Sequence, residues 1–387
     1  MLLIKNASLH TGLAPAQKLD LLVEGKSFSR LAPVIDPADC PPACTVLDAK
    51  GKHLFPGFIN AYSQWGIMGP GWSDDDQNEN SQPLTPDLDV TFAFDQDGMN
   101  FQRVYDYGVT TAVVGPAPRS VLMGQIAAYR TFGRSPYDML LKDKLALAGS
   151  VSEVVKKSFE SRQVRPMTRM GIVALLRQAL QKAQSYQADK DDYDPVSLSL
   201  QPIVTGQVPL LINVDFSQEM EALILALEDF PQIKLVLMGA YGFNLEIYQI
   251  LKEAGREVKV IFGDVTECIN RANKQLAYEE IIPLFASEDL AISTAGSYPT
   301  GGKESLLWNA LQWRRHGLSK EAALKAISLT PAKIFGLDGE IGSIEEGKTA
   351  DFSIWSGDPF ESYQAKLESV FIAGQNPQES ENRVSCW

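Results

Sequence analysis

The side chains best suited to chemistry sit where apolar runs give way to polar residues. In HLFPGFINAYSQWG, residues 53–66, an apolar strand turns a Pro-Gly corner and leads into Tyr62 and Gln64. VPLLINVD, residues 208–215, ends on Asn213 and Asp215, and AISTAG carries Thr294 and Ala295. Tyr62 beside Asp215 would serve as an acid and base pair if the two met with tuned pKa values. Gln64, Asn213, Asp215 and Asp264, the last in IFGDVTE, would offer oxygen donors that suit magnesium or calcium better than zinc. Without two convergent carboxylates such binding is weak. The plainer expectation is that these groups hydrogen-bond one another and water around a pocket, with Tyr62 as an aromatic plug.

Imidazole and thiolate are scarce. Of three histidines, His10 and His53 lie in strand-like N-terminal text, and His316 ends a helical segment, RRHG, where a cation is favoured. None of the three is expected to hold a catalytic metal. Cys40, Cys44, Cys268 and Cys386 are too few for a disulfide scaffold in 387 residues. The CPPAC segment lacks a second Cys or His pair and suits a turn. The acidic stretch GWSDDDQNENSQPLTPDLD, residues 71–89, has no regular metal spacing and is expected to be a solvated face, with a lid or an interface as the functional option.

Three zones must position these groups. Met1 to about Phe55 alternates short apolar runs with Gly and Pro, which predicts a small β unit. From Pro56 to about Gly336 strand-like and helical runs alternate: strand GVTTAVVGP, strand VPLLINVD, a helix capped by Ser217, strand IKLVLMGA, helix NLEIYQILKEAG, strand EVKVIFG, strand LAISTAG. Such alternation predicts a parallel sheet, and its length over about 280 residues suits an α/β fold of the (β/α)8 TIM-like barrel type. Chemistry in that architecture sits at the C-terminal ends of the strands. The text from about Gly339 is β-like again. A hydrophobic content of 45% supplies a large core, while a net charge of -13 with pI near 4.8 argues against nucleic acid or an anionic membrane as partner. The N-terminus MLLIKNASLH is too short in apolar residues for a signal peptide, and no run is long enough to span a bilayer, so a cytoplasmic location is expected.

HLFPGFINAYSQWG resembles the opening segment of the amidohydrolase superfamily, and LTPAKIFGLDGEIGSIEEGKTADFSIWSGDP its closing segment. SQPLTPDL, YGVTTAVVGP, MGQIAAYRTFG and RPMTRMGIVALLRQAL are similar to the branch with imidazolonepropionase-like and dipeptidase-like members. The resemblance implies a barrel over residues 56–336 and a composite β-sandwich domain from residues 1–55 and 337–387. It also implies one or two divalent metals, commonly zinc, held by a His-x-His pair, a bridging Lys or Glu, two later histidines and an Asp.

Carried over residue by residue, those positions fall on Tyr62 and Gln64, on Asn213 and Asp215, on Gly239 between Met238 and Ala240, and on Ala295. Arg130 and Gly149 are the occupants considered for the bridge. Apart from the Asp215 carboxylate, the imidazole and carboxylate donors that zinc needs are missing from this set. The expectation is therefore an amidohydrolase-related chain without the family's metal and without its metal-dependent reaction. It would bind a small molecule at the barrel mouth, lined by Tyr62, Gln64, Asn213, Asp215, Asp264 and Thr294, or assemble with itself or an active relative. The alternative is a hydrolase of C–N bonds (amide, cyclic amide or dipeptide) with an atypical or metal-free site.

Overall fold

The computed structural model describes residues 1–69, 75–239, 243–263, 278–287, 289–295 and 302–379. The N-terminal apolar runs form β1 (Leu2–Leu9), β2 (Gln17–Glu24), β3 (Ser27–Ala32), β4 (Thr45–Asp48) and β5 (His53–Pro56). β1, β2 and β3 form an antiparallel meander, and β4 and β5 both run parallel to β1. Beyond the Pro-Gly corner come β6 (Phe58–Ser63), β7 (Val109–Val114), β8 (Leu122–Gln125), β9 (Ala127–Arg130), β10 (Leu140–Lys142) and β11 (Leu147–Ser150). They are followed by β12 (Leu210–Val214), β13 (Leu235–Gly239), β14 (Val258–Phe262) and β15 (Leu290–Ile292).

β6 and β7 pair in parallel, as do β11 through β15 in chain order. Every residue of β12 and β13 is buried, which is why their sequences read as unbroken apolar runs. The helices between them bury one stripe each: Met220, Leu223 and Leu227 from the Ser217–Leu227 helix, Ile247 and Leu251 from the Leu245–Glu253 helix. Ser217, expected as the cap of the first helix, is instead its first residue. The capping acceptor is the Glu219 carboxylate, which takes the Phe216 N–H at 3.0 Å.

The strand and helix alternation is not uniform. β7 ends at Val114 and β8 begins at Leu122, so only residues 115–121 connect them. A crossover to a parallel neighbour needs a dozen or more residues. The chain therefore doubles back: β9 runs antiparallel to β7, and β8, one residue before β9, runs antiparallel to β11. The described ladders form a four-stranded sheet, β10-β9-β7-β6, and a six-stranded sheet, β15-β14-β13-β12-β11-β8, in place of one ring of parallel strands. The segment 122–130 belongs to both sheets. At their far edges Asn60 in β6 donates to the Thr294 hydroxyl at 2.8 Å and accepts the Thr294 N–H at 3.1 Å, which links β6 to the residues just after β15.

β16 (Phe352–Trp355) and β17 (Leu367–Phe371) return to the first sheet, where β16 lies antiparallel to β5. Leu54 of β5 and Ile354 of β16 are register partners, and Phe352 stacks on Phe371 at 4.5 Å between ring centres. One seven-stranded sheet thus contains strands from residues 2–56 and 352–371. Among the described residues no helix is long and apolar enough to cross a membrane.

Candidate functional site at the strand ends

β6 delivers Tyr62 to its C-terminal end because the whole strand is buried and its side chains are packed. The Tyr62 hydroxyl is fully enclosed and donates to the Pro116 carbonyl at 2.6 Å. Burial drives its phenol pKa upward, so the group stays a proton-bearing donor. The ring lies so close to Gly115 that a β-carbon there would stand 2.7 Å from the Tyr62 oxygen. Only glycine fits that backbone approach. Gln64 reaches the same loop, its amide donating to the Gly115 carbonyl at 3.4 Å. Tyr62 is therefore a buried, packed side chain at the end of β6. Its proton goes to Pro116, so the acid and base pairing with Asp215 is not formed.

Asn213, Asp215 and Gly239 come together at the ends of β12 and β13. The Asn213 amide donates to the Met238 carbonyl at 3.4 Å, and its Oδ1 has no hydrogen-bond partner among the described residues. Gly239 has φ of +82°, and a β-carbon on it would stand 2.6 Å from Asn213 Nδ2 and 3.6 Å from Asp215 Oδ1. Thr294 and Ala295 are buried beyond β15, with Thr294 engaged by Asn60 and the Ala295 N–H donated to Ser293 Oγ at 3.1 Å. Asp264 and Ala240 lie outside the described residues. So do Cys268, Cys386 and the first part of the acidic stretch, residues 71–74.

Of the two bridge occupants, Gly149 brings no side chain and Arg130 stands at the wrong end. Arg130 pairs in register with Thr111, in the first half of β7, while Val114 forms the far end of that strand. Its charge acts on Asp351, which is fully buried and whose carboxyl burial pushes up to about 6.

Glu219 and Asn60 were not singled out by sequence. Glu219 is 2% exposed and accepts three backbone N–H groups, from Asp215 at 2.6 Å, Phe216 at 3.0 Å and Glu153 at 2.9 Å. Burial first, then the neighbouring Asp215 charge, raises its carboxyl to about 7. It fixes the turn that carries Asp215. A Glu at the third helical position, the capping-box position, is the signal in the sequence that points to it.

Beside the Tyr62 end of β6 lies a cavity of about 470 Å³. Ile67, Pro116 and Met123 supply apolar wall, and Asp75, Asp76, Glu79, Asp87 and Asp89 supply carboxylates, with no lysine or arginine among the described lining residues. The acidic stretch, expected as a solvated face, thus walls a pocket from Asp75 onward. Its size is that of small-molecule sites.

The zinc that the resemblance implies does not fit the donor set found here. Tyr62 spends its hydroxyl on Pro116, Gly239 and Ala295 offer no donor, and Asn213 contributes at most one amide oxygen. Zinc sites draw on imidazole, thiolate and carboxylate, and of these only Asp215 stands at the carried-over positions.

The Amidohydrolase family model matches residues 244–377. The amidohydrolase tasK of Hapsidospora irregularis is 25% identical over 88% of this chain, and the match spans 38% of that relative's length. The crystal structure of an amidohydrolase from Thermotoga maritima MSB8 is 26% identical, with a TM-score of 0.88 over 97% of this chain and 99% of its own. The structure of phenylurea hydrolase B, at 16% identity and a TM-score of 0.57 over 98% of this chain and 97% of its own, shares the fold.

Proposed function

We propose that this chain, similar over nearly its whole length to the Thermotoga maritima amidohydrolase and matched over residues 244–377 by the Amidohydrolase family model, is a member of that superfamily that keeps the scaffold as a small-molecule binding protein and has given up the metal-dependent hydrolysis. The observation that carries this reading is the rebuilt set of strand-end positions. Tyr62 is closed by Pro116, and the Gly239 backbone leaves no room for a ligand side chain. The ligand enters the cavity beside β6, whose carboxylates favour a cationic group by charge complementarity. The protein works in the cytoplasm and assembles with itself or an active relative.

A second reading, hydrolysis of a C–N bond at an atypical site, is supported by the near full-length likeness to the Thermotoga maritima amidohydrolase. Turnover of an N-acyl amino acid, a cyclic amide and a dipeptide, each with added zinc or manganese, separates the two. The expected rates equal those of an Asp215→Asn variant and of buffer. Metal-stimulated turnover that Asp215→Asn abolishes would overturn the binding-protein reading.

A further inference from the structure

We propose that His10, His53 and Asp358 form a site for one divalent ion of the zinc class in the seven-stranded sheet, remote in kind and in sheet from the strand-end positions. One ligand atom from each lies within 4.8 Å of the other two. His10 is 3% and Asp358 7% exposed, while His53 is only partly covered and opens the site to solvent.

Each donor is placed by backbone structure. His10 follows β1, and its N–H donates to the Leu54 carbonyl at 2.8 Å. His53 opens β5 as the register partner of Trp355, three residues before Asp358. The His10 ring stacks on Phe55 at 4.0 Å, and Asp358 Oδ1 accepts the Phe360 N–H at 2.9 Å. Such outer contacts orient the ligands of a metal centre before the ion arrives.

His10 Nε2 faces His53 Nδ1 at 3.0 Å. Two nitrogens bound tetrahedrally at about 2.0–2.1 Å stand roughly 3.3–3.4 Å apart, so the pair opens by a few tenths of an ångström. The ion takes the place of the proton between the two rings, and that proton moves to the other nitrogen of the ring that donated it, so both ligands stay neutral imidazoles. Two imidazoles and one carboxylate select zinc, cobalt or nickel over magnesium or calcium, with water in the remaining position.

Lys320 is the competitor. It donates to Asp358 Oδ2 at 2.9 Å and to Glu361 at 2.8 Å. When Asp358 turns to the ion, Lys320 keeps Glu361, so its charge is not stranded.

The test is titration of chelator-treated full-length protein with zinc, read by calorimetry and thermal midpoint, with cobalt as a spectroscopic probe. One zinc per chain is expected, with a raised midpoint and a cobalt spectrum of nitrogen and oxygen ligation. The partly exposed His53→Gln should lower the affinity by at least about tenfold, the scale even of an outer-contact change. Lys320→Met should raise it, and this variant leaves all three ligands in place. Circular dichroism confirms that both variants are folded. No stoichiometric binding, or binding unchanged in His53→Gln, overturns the proposal. A cobalt-thiolate band would reassign the ion to Cys40 and Cys44 and overturn it too. Binding lost in Asp215→Asn and kept in His53→Gln would place the ion at the strand ends, against this site and the proposed function together. Binding lost only in His53→Gln leaves the proposed function untouched.

Discussion

Gly239→Ala asks whether the end of β13 has lost the capacity to carry a ligand at all. The perturbation is one methyl group, and two consequences follow from the geometry. At φ of +82° an L-residue costs roughly 1–2 kcal/mol more than glycine. The new β-carbon would also lie 2.6 Å from Asn213 Nδ2, which has to leave the Met238 carbonyl it now donates to. That hydrogen bond contributes roughly 0.5–1.5 kcal/mol. Together the loss is about 1.5–3.5 kcal/mol. With an unfolding entropy of about 2.1 cal/mol/K per residue over a chain of this length, the thermal midpoint falls by roughly 2–4 °C. Differential scanning calorimetry measures it. Adding Asn213→Ala removes the clash but not the φ cost, so the double variant should lose less than the sum of the singles by roughly 0.5–1.5 kcal/mol. A midpoint that stays or rises on Gly239→Ala would refute the reasoning, because alanine at a compatible glycine stabilises by roughly 0.4–1 kcal/mol. A refutation would mean that a histidine could return to this position.

Tyr62→Phe removes the donor to the part-buried Pro116 carbonyl and should destabilise by about 0.5–1.5 kcal/mol, read from the calorimetric midpoint, with no change in the secondary structure seen by circular dichroism. Tyr62→His with Gln64→His should not create zinc binding beyond that of the parent, measured by calorimetry on a His53→Gln background, since Gly239 and Ala295 still contribute no donor. For Glu219 the folded pKa of about 7 stands above the ordinary 4.5. The folded state therefore holds the extra proton between these values, and its contribution is full below about pH 4.5 and lost as pH rises through 7. The loss is up to about 3 kcal/mol. Glu219→Gln should flatten the fall in midpoint between pH 4.5 and 7.5, and an unchanged slope would show that another group is responsible.

The parallel run β12–β15 and the return of β text near the C-terminus were legible because both depend on local pattern. Apolar runs such as LLIN and LVLM carry their own burial signal. The antiparallel segment 122–130 was not, since what decides it is the shortness of residues 115–121 against the length of a crossover. At the candidate site, Asn213, Asp215 and Gly239 were picked out together and are together. The bridge position, for which neither Arg130 nor Gly149 made a good occupant, stays unplaced, because distance along the chain says nothing about which end of a strand a residue occupies. The His10, His53 and Asp358 cluster escaped notice for a related reason. Its members are separated by 43 and 305 positions, and only the β1–β5–β16 pairing makes them neighbours.

That same pairing sets an order on synthesis. Leu54 waits for Ile354, which the ribosome makes 300 residues later. At roughly 5–20 residues per second the edge of β5 stays open for about 15–60 s. An unpaired strand edge is a template for association with other chains. Chaperone demand in the living cell should therefore track the time needed to translate residues 57–351, and slowing synthesis within that interval should lower the soluble yield.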